Sequence, residues 1–282
     1  MTMPGKSPSP EQVKETVRAG YAAIATGRQS SCCSGSSGRC GPADPARLAA
    51  GVGYDAESLA KLPEGANMGL SCGNPIALAA LKEGQTVLDL GSGGGFDAFL
   101  AGVRVGAAGR VIGIDMTPEM LDKARANIDD YRRRTGLDNV EFRLGEIEHL
   151  PVQDASVDVV LSNCVINLSP DKPQVWREVF LVLKPGGKVS VSDLALLKPL
   201  PDDIREMAEA LVGCVAGAAT LAETRAMLEE AGFTSIQLTP VTDYVRSMED
   251  CNDPLFMEIT EKLPAGEGMA DYVVSLSIEA RK

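Results

Sequence analysis

Cysteine is the residue type whose number and placement point most directly to chemistry. The chain has 282 residues, with seven cysteines but only one histidine and one tryptophan. The cysteines are Cys32, Cys33, Cys40, Cys72, Cys164, Cys214 and Cys251. The first thirty residues lack the apolar core of a secretory signal, so we expect a cytoplasmic protein whose thiols are reduced. Such thiols pack in the core, bind a metal or metalloid, or carry out redox chemistry.

Zinc is the obvious competitor for a protein with several thiols. Structural zinc sites use paired Cys-x-x-Cys or Cys/His spacings that supply four ligands. This sequence has no Cys-x-x-Cys pair, and His149 is its only histidine. A zinc site would have to draw its ligands from scattered positions, so the spacing argues against one.

A second group of residues with chemical meaning is the glycine-rich stretch DLGSGGG at residues 89–95. Glycines at a strand-to-helix turn allow a tight backbone path and the close approach of a ligand. Asp115 follows the next predicted strand, twenty residues after Gly95, where a carboxylate can accept hydrogen bonds from a ribose diol. Taken alone, this pairing fits NAD as well as S-adenosylmethionine, because several nucleotide folds use a glycine-rich turn.

The elements that must position these residues alternate between strand and helix from residue 74 onward. Apolar runs predict five strands, at residues 86–90, 110–114, 140–144, 157–161 and 188–194. Helical periodicity and capping residues predict helices at residues 10–27, 74–84, 96–105, 117–134 and 176–183. Near-continuous apolar strands separated by helices predict a parallel sheet that is covered on both faces.

The alternation ends near residue 197. Two helical stretches, at about 202–216 and 221–231, precede the alternating segments FTSIQLT and DYVVSLSIEA, which could pair as an antiparallel edge of the same sheet. We therefore expect three regions with a soft second boundary. They are an N-terminal helix with a Cys/Ser/Gly-rich loop (residues 1–65), a cofactor-binding core (66–197) and a smaller C-terminal α+β region (198–282).

Composition and charge exclude several classes of function. Hydrophobic residues make up 44% of the chain and charged residues 23%, which is typical of globular proteins. The net charge of -12 disfavours binding to nucleic acid or to an anionic membrane, whose phosphates need a basic surface. No run approaches the roughly 20 apolar residues of a membrane-spanning helix. The composition carries no signal of an interface between copies, so we expect a monomer that binds small molecules.

The motifs around the glycine turn resemble those of class I methyltransferases. Residues 89–95 have the form D-x-G-x-G-x-G of motif I, and the later landmarks are GEIEHLP at 145–151, SVDVV at 156–160 and LKPGG at 183–187. This resemblance spans about residues 75–195 and implies S-adenosyl-L-methionine in preference to NAD. It also implies a Rossmann-like α/β fold with a mostly parallel seven-stranded sheet flanked by helices.

The segments around the cysteines resemble the arsenite methyltransferase family more specifically, over about residues 20–280. They are SNCVINL followed by SPDKP at 162–173, GIDMT at 113–117 and GCVAGA at 213–218. The resemblance implies that Cys72, Cys164 and Cys214 bind trivalent arsenic, with Cys164 and Cys214 as the core thiolates. It also implies that either Cys32 or Cys33 exchanges disulfides with Cys72. Cys40 and Cys251 match no position of the family, and MGLSCGNP at 68–75 lacks the aromatic pair that often precedes Cys72.

The resemblance implies further partners. Methyl transfer from S-adenosyl-L-methionine to arsenite, methylarsenite or thiol-conjugated arsenic would need an external thiol reductant of the thioredoxin or glutathione type. The residues implied to hold the cofactor are Asp89, Gly91, Ser92, Gly93, Gly95, Asp115, Met116, Glu146 and Asn163. Two alternatives remain open: a methyltransferase for a small organic substrate such as a quinone or a sterol-like molecule, and a metalloid-binding or redox-sensing protein without turnover.

Overall fold

The architecture is a single mixed sheet with helices on both faces. The computed structural model describes residues 8–27, 45–250 and 254–282. Its strands are β1 (Thr86–Leu90), β2 (Arg110–Asp115), β3 (Val140–Leu144), β4 (Val157–Asn163), β5 (Leu183–Leu196), β6 (Ala219–Thr220), β7 (Thr234–Val241) and β8 (Val273–Arg281).

The helices surround this sheet, and two short 3-10 helices lie at Ile166–Leu168 and Met269–Asp271. The N-terminal helices are α1 (Pro10–Ala25), α2 (Pro45–Gly51), α3 (Ala56–Ala60), α4 (Pro75–Ala79), α5 (Phe96–Val105), α6 (Pro118–Ala126) and α7 (Ile128–Thr135). The later ones are α8 (Lys172–Val182), α9 (Asp202–Arg205), α10 (Ala208–Val212), α11 (Leu221–Glu230), α12 (Asp243–Asp250) and α13 (Pro254–Glu261). None of the helices in the described ranges has the length and apolar character that crossing a bilayer requires.

The order of the strands places the sheet's switch point beside β1. Seven strands run in the order β3-β2-β1-β4-β5-β8-β7, and the two-residue β6 pairs with the end of β5. Strands β1 to β5 pair in parallel, and β8 is antiparallel to both of its neighbours, β5 and β7. The parallel sheet predicted from the apolar runs is therefore confirmed. The antiparallel edge predicted from FTSIQLT and DYVVSLSIEA is confirmed as well.

Two apolar layers hold the sheet between its helices. One layer packs Leu88 and Val160 of the central strands against Trp176 and Val179 of α8, and all four side chains are buried. The opposite layer packs Val87 and other strand residues against α4, α5, α6 and α7. Strands buried on both faces in this way have the near-continuous apolar sequences that the prediction depended on.

Three helices differ from the sequence-based expectation. The helix predicted at 74–84 ends at Ala79. The predicted helix at 117–134 is split at Asn127 into α6 and α7. The predicted helix at 202–216 is also wrong, because it becomes the short α9 and α10, and Cys214 lies in the turn that follows. Gly213 and Gly217 flank this turn, and glycine is the poorest helix former after proline.

The helix α1 lies across the sheet edge and carries its own start signals. Ser9 caps it, because its hydroxyl accepts the backbone N–H of Gln12 while the Gln12 side chain accepts the N–H of Ser9. Its buried Val17 and Ile24 face inward, and the helix packs against α6 and α10. Helix α1 therefore bridges the parallel core and the C-terminal region.

Truncation of a central strand side chain should weaken the fold strongly. Leu88 lies in β1 and is fully buried, so Leu88→Ala leaves a cavity and should lower the free energy of unfolding by about 2–5 kcal/mol. Leu144→Ala is the matched control, because the Leu144 side chain is 56% exposed and its loss should change the stability by no more than about 0.5 kcal/mol. Urea unfolding of the two variants measures both values, and equal losses would contradict this description of the core.

Candidate active site

A partly open cavity lies at the edge of the sheet where β1, β2 and β4 end. In open α/β sheets, ligands bind at the carboxyl ends of the strands. They bind in the crevice at the point where the strand order reverses. Helix α1 covers one side of the cavity with Lys14, Val17 and Tyr21. The residues that the strand ends contribute to its lining include Asp89, Gly91, Ser92, Gly93, Asp115, Met116, Asn163 and Cys164.

The glycine turn after β1 forms the floor of this cavity, and at two of its positions, Gly91 and Gly95, a side chain would clash. Gly91 has a φ of 63°, and a Cβ at this position would overlap the side chain of Val165. Gly95 has a φ of 91°, and a Cβ there would lie 2.6 Å from the Phe99 ring. Both positions therefore require glycine, and the turn presents backbone rather than side chains to a ligand. Gly95 is the N-cap of α5 and is not one of the residues that line the cavity.

Asp115 braces the turn from the end of β2. Its carboxylate accepts the backbone N–H of Gly93 at 2.9 Å and that of Thr117 at 2.8 Å. Burial raises the pKa of this carboxyl above its ordinary value. Each carboxylate oxygen has a second lone pair, so Asp115 can still accept hydrogen bonds from hydroxyl groups in the cavity.

Asp89 and Ser92 supply polar atoms that the protein itself does not satisfy. Among the residues that the structure describes, Asp89 Oδ2 and Ser92 Oγ are buried and have no hydrogen-bond partner. Burial, together with the neighbouring carboxylates of Asp97 and Asp115, holds the pKa of Asp89 well above its usual range. Unsatisfied buried polar atoms are costly, and here they line a cavity that can admit a polar ligand.

The side-chain amide of Asn163 connects the cavity to the cysteine region. Its nitrogen donates to Asp97 Oδ2 at 3.0 Å, to the Gly73 carbonyl at 2.9 Å and to the Tyr54 hydroxyl at 3.2 Å. Its oxygen accepts the backbone N–H of Cys72 at 3.1 Å. The Tyr54 hydroxyl also donates to Asp97 Oδ1 at 2.5 Å. Asn163 thus lies beside the cavity and fixes the segment that carries Cys72.

Glu146 is placed differently from the other residues implied to hold the cofactor. Its carboxylate lies outside the cavity lining and is paired with Lys14 Nζ at 2.6 Å and Arg18 at 3.5 Å. The hydrogen bond from Lys14 lowers the pKa of Glu146. Glu148, in contrast, lines the cavity and lies 3.5 Å from the same Lys14 ammonium. A role for Glu146 in holding the cofactor therefore remains a prediction.

The three cysteines at 72, 164 and 214 converge behind one wall of the cavity. Cys72 and Cys164 form a disulfide with an S–S distance of 2.08 Å. Cys164 also lines the cavity, and its carbonyl accepts the Cys214 thiol at 2.8 Å. All three residues are buried, at 1%, 8% and 3% exposure. The structure therefore brings together three cysteines that are far apart in sequence.

Both Cys164 and Cys214 adopt the left-handed backbone conformation that non-glycine residues seldom use. Their φ angles are 57° and 63°. Such strained positions are stabilised only where the surrounding structure imposes them, and they are often found at functional sites. Here Gly217 allows the turn of Cys214 to pack closely on the segment after Cys164, since a Cβ at 217 would overlap the Asn167 carbonyl.

Asp193 is a buried acid at this site that the sequence analysis did not single out. One of its carboxylate oxygens lies within 4.8 Å of the Cys164 and Cys214 sulfurs, and the two sulfurs also lie within 4.8 Å of each other. It accepts the side-chain amide of Asn167 at 2.9 Å and the backbone N–H of Asn167 at 3.2 Å. Burial raises the pKa of Asp193 to about 6.

Some of the missed residues left a signal in the sequence and others left none. Asp193 and Asp97 are acids within apolar elements, KVSVSDL and FDAFL, where an acid suggests a polar partner. Lys14 belongs to a helix that is far in sequence from the other cavity residues. Its neighbours in sequence give no sign that it reaches the cavity. Cys32, Cys33, Cys40 and Cys251 lie outside the described residues, so the expected exchange between Cys72 and the Cys32/Cys33 pair remains a prediction. The pairing of Cys72 with Cys164 was not expected.

Comparison with known proteins places this geometry in a family. The family model described as a methyltransferase domain matches residues 81–232. An arsenite methyltransferase of Halobacterium salinarum is 46% identical over 279 residues, which covers 97% of this chain and 67% of the relative. The chain belongs to the arsenite methyltransferase family. An arsenite methyltransferase of Aquipseudomonas alcaligenes is 41% identical over 207 residues, 70% of this chain and 59% of the relative.

Solved structures agree with this membership of the arsenite methyltransferase family. The arsenic (III) S-adenosylmethionine methyltransferase CrArsM from Chlamydomonas reinhardtii has a TM-score of 0.60 and 34% identity, covering 85% of this chain and 73% of that one. A Haemonchus contortus phosphoethanolamine N-methyltransferase in complex with S-adenosyl-L-methionine, at 20% identity and a TM-score of 0.60, shares the fold. The family resemblance and the class I methyltransferase fold expected from the sequence are confirmed. The chain spans 67% and 59% of the length of its two curated relatives named above.

The buried carboxylate of Asp97 should make stability depend on pH. Burial raises the pKa of Asp97 from 3.8 to about 6, so the folded state holds this proton more tightly than the unfolded state. Between pH 5 and pH 7 the wild type should therefore lose stability relative to Asp97→Asn, by on the order of 1 kcal/mol. Urea unfolding of both proteins at the two pH values measures the difference. A difference that is constant, or that shifts in favour of the wild type at pH 7, would contradict it.

Proposed function

We propose that this protein transfers a methyl group from S-adenosyl-L-methionine to trivalent arsenic that is held by cysteine thiolates. The observation that carries the proposal is the position of Cys164, which lies in the wall of the cavity beside the glycine turn and joins Cys72 and Cys214 behind it. The site thus presents sulfur to the same space in which a nucleotide-type cofactor fits. Arsenite and methylarsenite are the small-molecule substrates of this proposal, and the protein acts as a monomer in the cytoplasm.

The residues of the cavity fit the cofactor. The backbone of residues 91–95 accommodates a close approach, and Asp115 offers lone pairs to the ribose hydroxyls. Asp89 and Asp97 place carboxylates in the same cavity, next to the unsatisfied Ser92 hydroxyl and the Asn163 amide. Buried acids of this kind complement a ligand that carries positive charge. When bound, the cofactor supplies an activated methyl group on a sulfonium ion.

The thiolates suit arsenic for reasons of hardness and geometry. Trivalent arsenic is a soft centre that prefers soft thiolate ligands, by the same preference that governs soft metals. Three sulfurs hold it as a pyramid, and a lone pair remains on the arsenic. That lone pair forms the new arsenic–carbon bond while the sulfur–carbon bond breaks, so no general base is needed at the attacking atom. His149 is the single histidine of the sequence, and it does not line the cavity.

The protein's part in this step is chiefly positioning. The hydrogen bonds of Asn163 fix the Cys72 segment, and the turn at Cys164 is held by its N–H bond to the Ser192 carbonyl at 2.8 Å. Orientation of two reactants in this way can contribute several kcal/mol to lowering a barrier.

The disulfide supports a redox part of the same proposal. Methylation raises arsenic formally from the trivalent to the pentavalent state, and two electrons must return for a further cycle. Oxidation of the Cys72 and Cys164 thiols to the disulfide found here releases two electrons and two protons. An external thiol reductant of the thioredoxin or glutathione type then restores both thiols. Cys32 or Cys33 would relay this exchange to Cys72.

The decisive test is arsenite methylation with the cysteines replaced one at a time. Cys164→Ser and Cys214→Ser each remove a ligand of arsenic, so we expect methylarsenite methylation to fall by more than about 100-fold. Cys40→Ser is the matched control and should retain activity. The assay contains S-adenosylmethionine and a dithiol, and mass spectrometry separates the arsenic species. Wild-type rates in either site variant would overturn the arsenic site, and methyl transfer that occurs only to an organic acceptor would favour the alternative substrate class.

Binding of the cofactor can be tested separately. Asp115→Asn removes one acceptor from the ribose position and disturbs the brace to Gly93, so the affinity for S-adenosylhomocysteine should fall by about 10–100-fold. Asp138→Asn is a suitable control, because Asp138 is an exposed acid paired with Arg132 away from the cavity. Isothermal titration calorimetry measures both affinities. An unchanged affinity in Asp115→Asn would mean that the cofactor does not use this carboxylate.

A further inference from the structure

Asp193 is a buried carboxylate that the proposed methyl transfer leaves without a task. It lies within β5, directly before the buried Leu194 and Ala195, and is only 3% exposed. Its side chain is held in place by Asn167 and by the backbone N–H of Leu194 at 2.9 Å. A buried acid is costly, and three hydrogen bonds do not explain why one of its oxygens lies beside two cysteine sulfurs.

The spacing of these atoms fits the coordination of a divalent metal ion. The Asp193 oxygen, Cys164 Sγ and Cys214 Sγ all lie within 4.8 Å of one another. Zinc–sulfur bonds of about 2.3 Å in a tetrahedron place two sulfurs about 3.8 Å apart, so small side-chain shifts would close the ligands on one ion. Cys72 Sγ lies 2.08 Å from Cys164 Sγ and becomes a further thiol when that disulfide is reduced. The reduced site then offers three sulfurs and one oxygen.

Charge at the site is also consistent with a cation. The thiolates and the Asp193 carboxylate are all anionic when they bind a metal, and buried anions need compensation. The half-buried Lys172 interacts electrostatically with both Asp193 and Cys214, and burial lowers its pKa. One ammonium balances only one of these four negative charges, and a divalent ion compensates two of the three that remain.

We infer that the reduced protein binds a divalent thiophilic cation such as zinc or cadmium through Cys72, Cys164, Cys214 and Asp193. Asp193 is the ligand that distinguishes this ion from arsenic. Zinc is a borderline ion that accepts carboxylate oxygen along with thiolate, whereas trivalent arsenic is satisfied by three sulfurs. The ligands come from scattered positions, which is why the cysteine spacing gave no sign of the site.

Two consequences follow for the chemistry. Reduction of the Cys72–Cys164 disulfide takes two electrons from a thiol, which becomes a disulfide, or from a phosphine, which becomes a phosphine oxide. The two protons come from the thiol or from water, and metal binding then releases them from the cysteines. The oxidised protein therefore lacks the site. A bound cation uses the sulfurs that arsenic needs, so it should inhibit methylation in competition with arsenite; only this inhibition rests on the proposed function.

The test uses a background in which Cys32, Cys33, Cys40 and Cys251 are replaced by serine. The protein is reduced with a phosphine, and the phosphine is then removed under nitrogen. The reduced protein is dialysed against cadmium or against arsenite, and mass spectrometry measures the bound ion. We expect one cadmium per chain in the reduced protein and none in the oxidised one. Asp193→Asn should weaken cadmium binding by more than about tenfold, with arsenite binding changed by less than about twofold. Cys214→Ser should weaken both ions.

The outcomes separate the possibilities. Unchanged cadmium affinity in Asp193→Asn overturns the inference, and so does an equal loss of cadmium and arsenite, which would show a merely structural role. Asp193→Glu, which keeps the charge but moves the oxygen, should repeat the selective loss if Asp193→Asn folds poorly. X-ray absorption of the zinc-loaded protein should show three sulfurs near 2.3 Å and one oxygen near 2.1 Å, and a shell without sulfur overturns the inference. Cadmium binding in this background, together with no arsenite methylation by the wild-type protein, would support this site and refute the proposed function.

Discussion

The hydrogen bonds of the Asn163 side chain are the interaction on which the arrangement of the site depends. One amide joins the end of β4 to Asp97 in the cofactor cavity and to the backbone on both sides of residue 72. The next residue is Cys164, so the cavity and the sulfur site share two consecutive residues. Any shift of β4 would therefore move both the cofactor wall and the cysteines together, and their relative position is preserved.

The second constraint is electrostatic. Asp89, Asp97 and Asp115 bring three buried carboxyl groups to one cavity, and burial raises the pKa of each of them. An empty site with this composition is penalised by desolvation and by repulsion between like charges. A ligand with positive charge relieves both, so part of the free energy of cofactor binding comes from strain that the folded protein already holds. The same carboxyl groups disfavour anionic nucleotides. Such nucleotides also bind at glycine-rich turns in other folds, but their charge is negative.

The parts of the structure that could be predicted from sequence are those with a local cause. The strand TVLDL and the turn at residues 91–95 have their own apolar and glycine patterns, and β1 begins and ends where the pattern indicates. The side chains around the cysteines were harder to predict, because the proximity of Asp193 to Cys164 and Cys214 arises from the order of the strands and from a turn that adopts a positive φ. Lys14 reaches the cavity only because α1 packs on α6 and α10. The resemblance to the family, and not the periodicity of the sequence, predicted that Cys72, Cys164 and Cys214 lie at one site.

The position of β8 has a consequence for how the protein is made. Strand β8 lies between β5 and β7, although β7 comes first along the chain, so β7 has no partner in the described sheet until β8 has been inserted. The Ser275 hydroxyl of β8 donates to the Cys72 carbonyl at 2.9 Å, which makes this strand part of the support of the cysteine site. While the ribosome is still adding residues 273–281, the earlier cysteines are thus already synthesised but not yet enclosed. The nascent chain therefore carries these thiols through that interval without the enclosure that the completed fold provides.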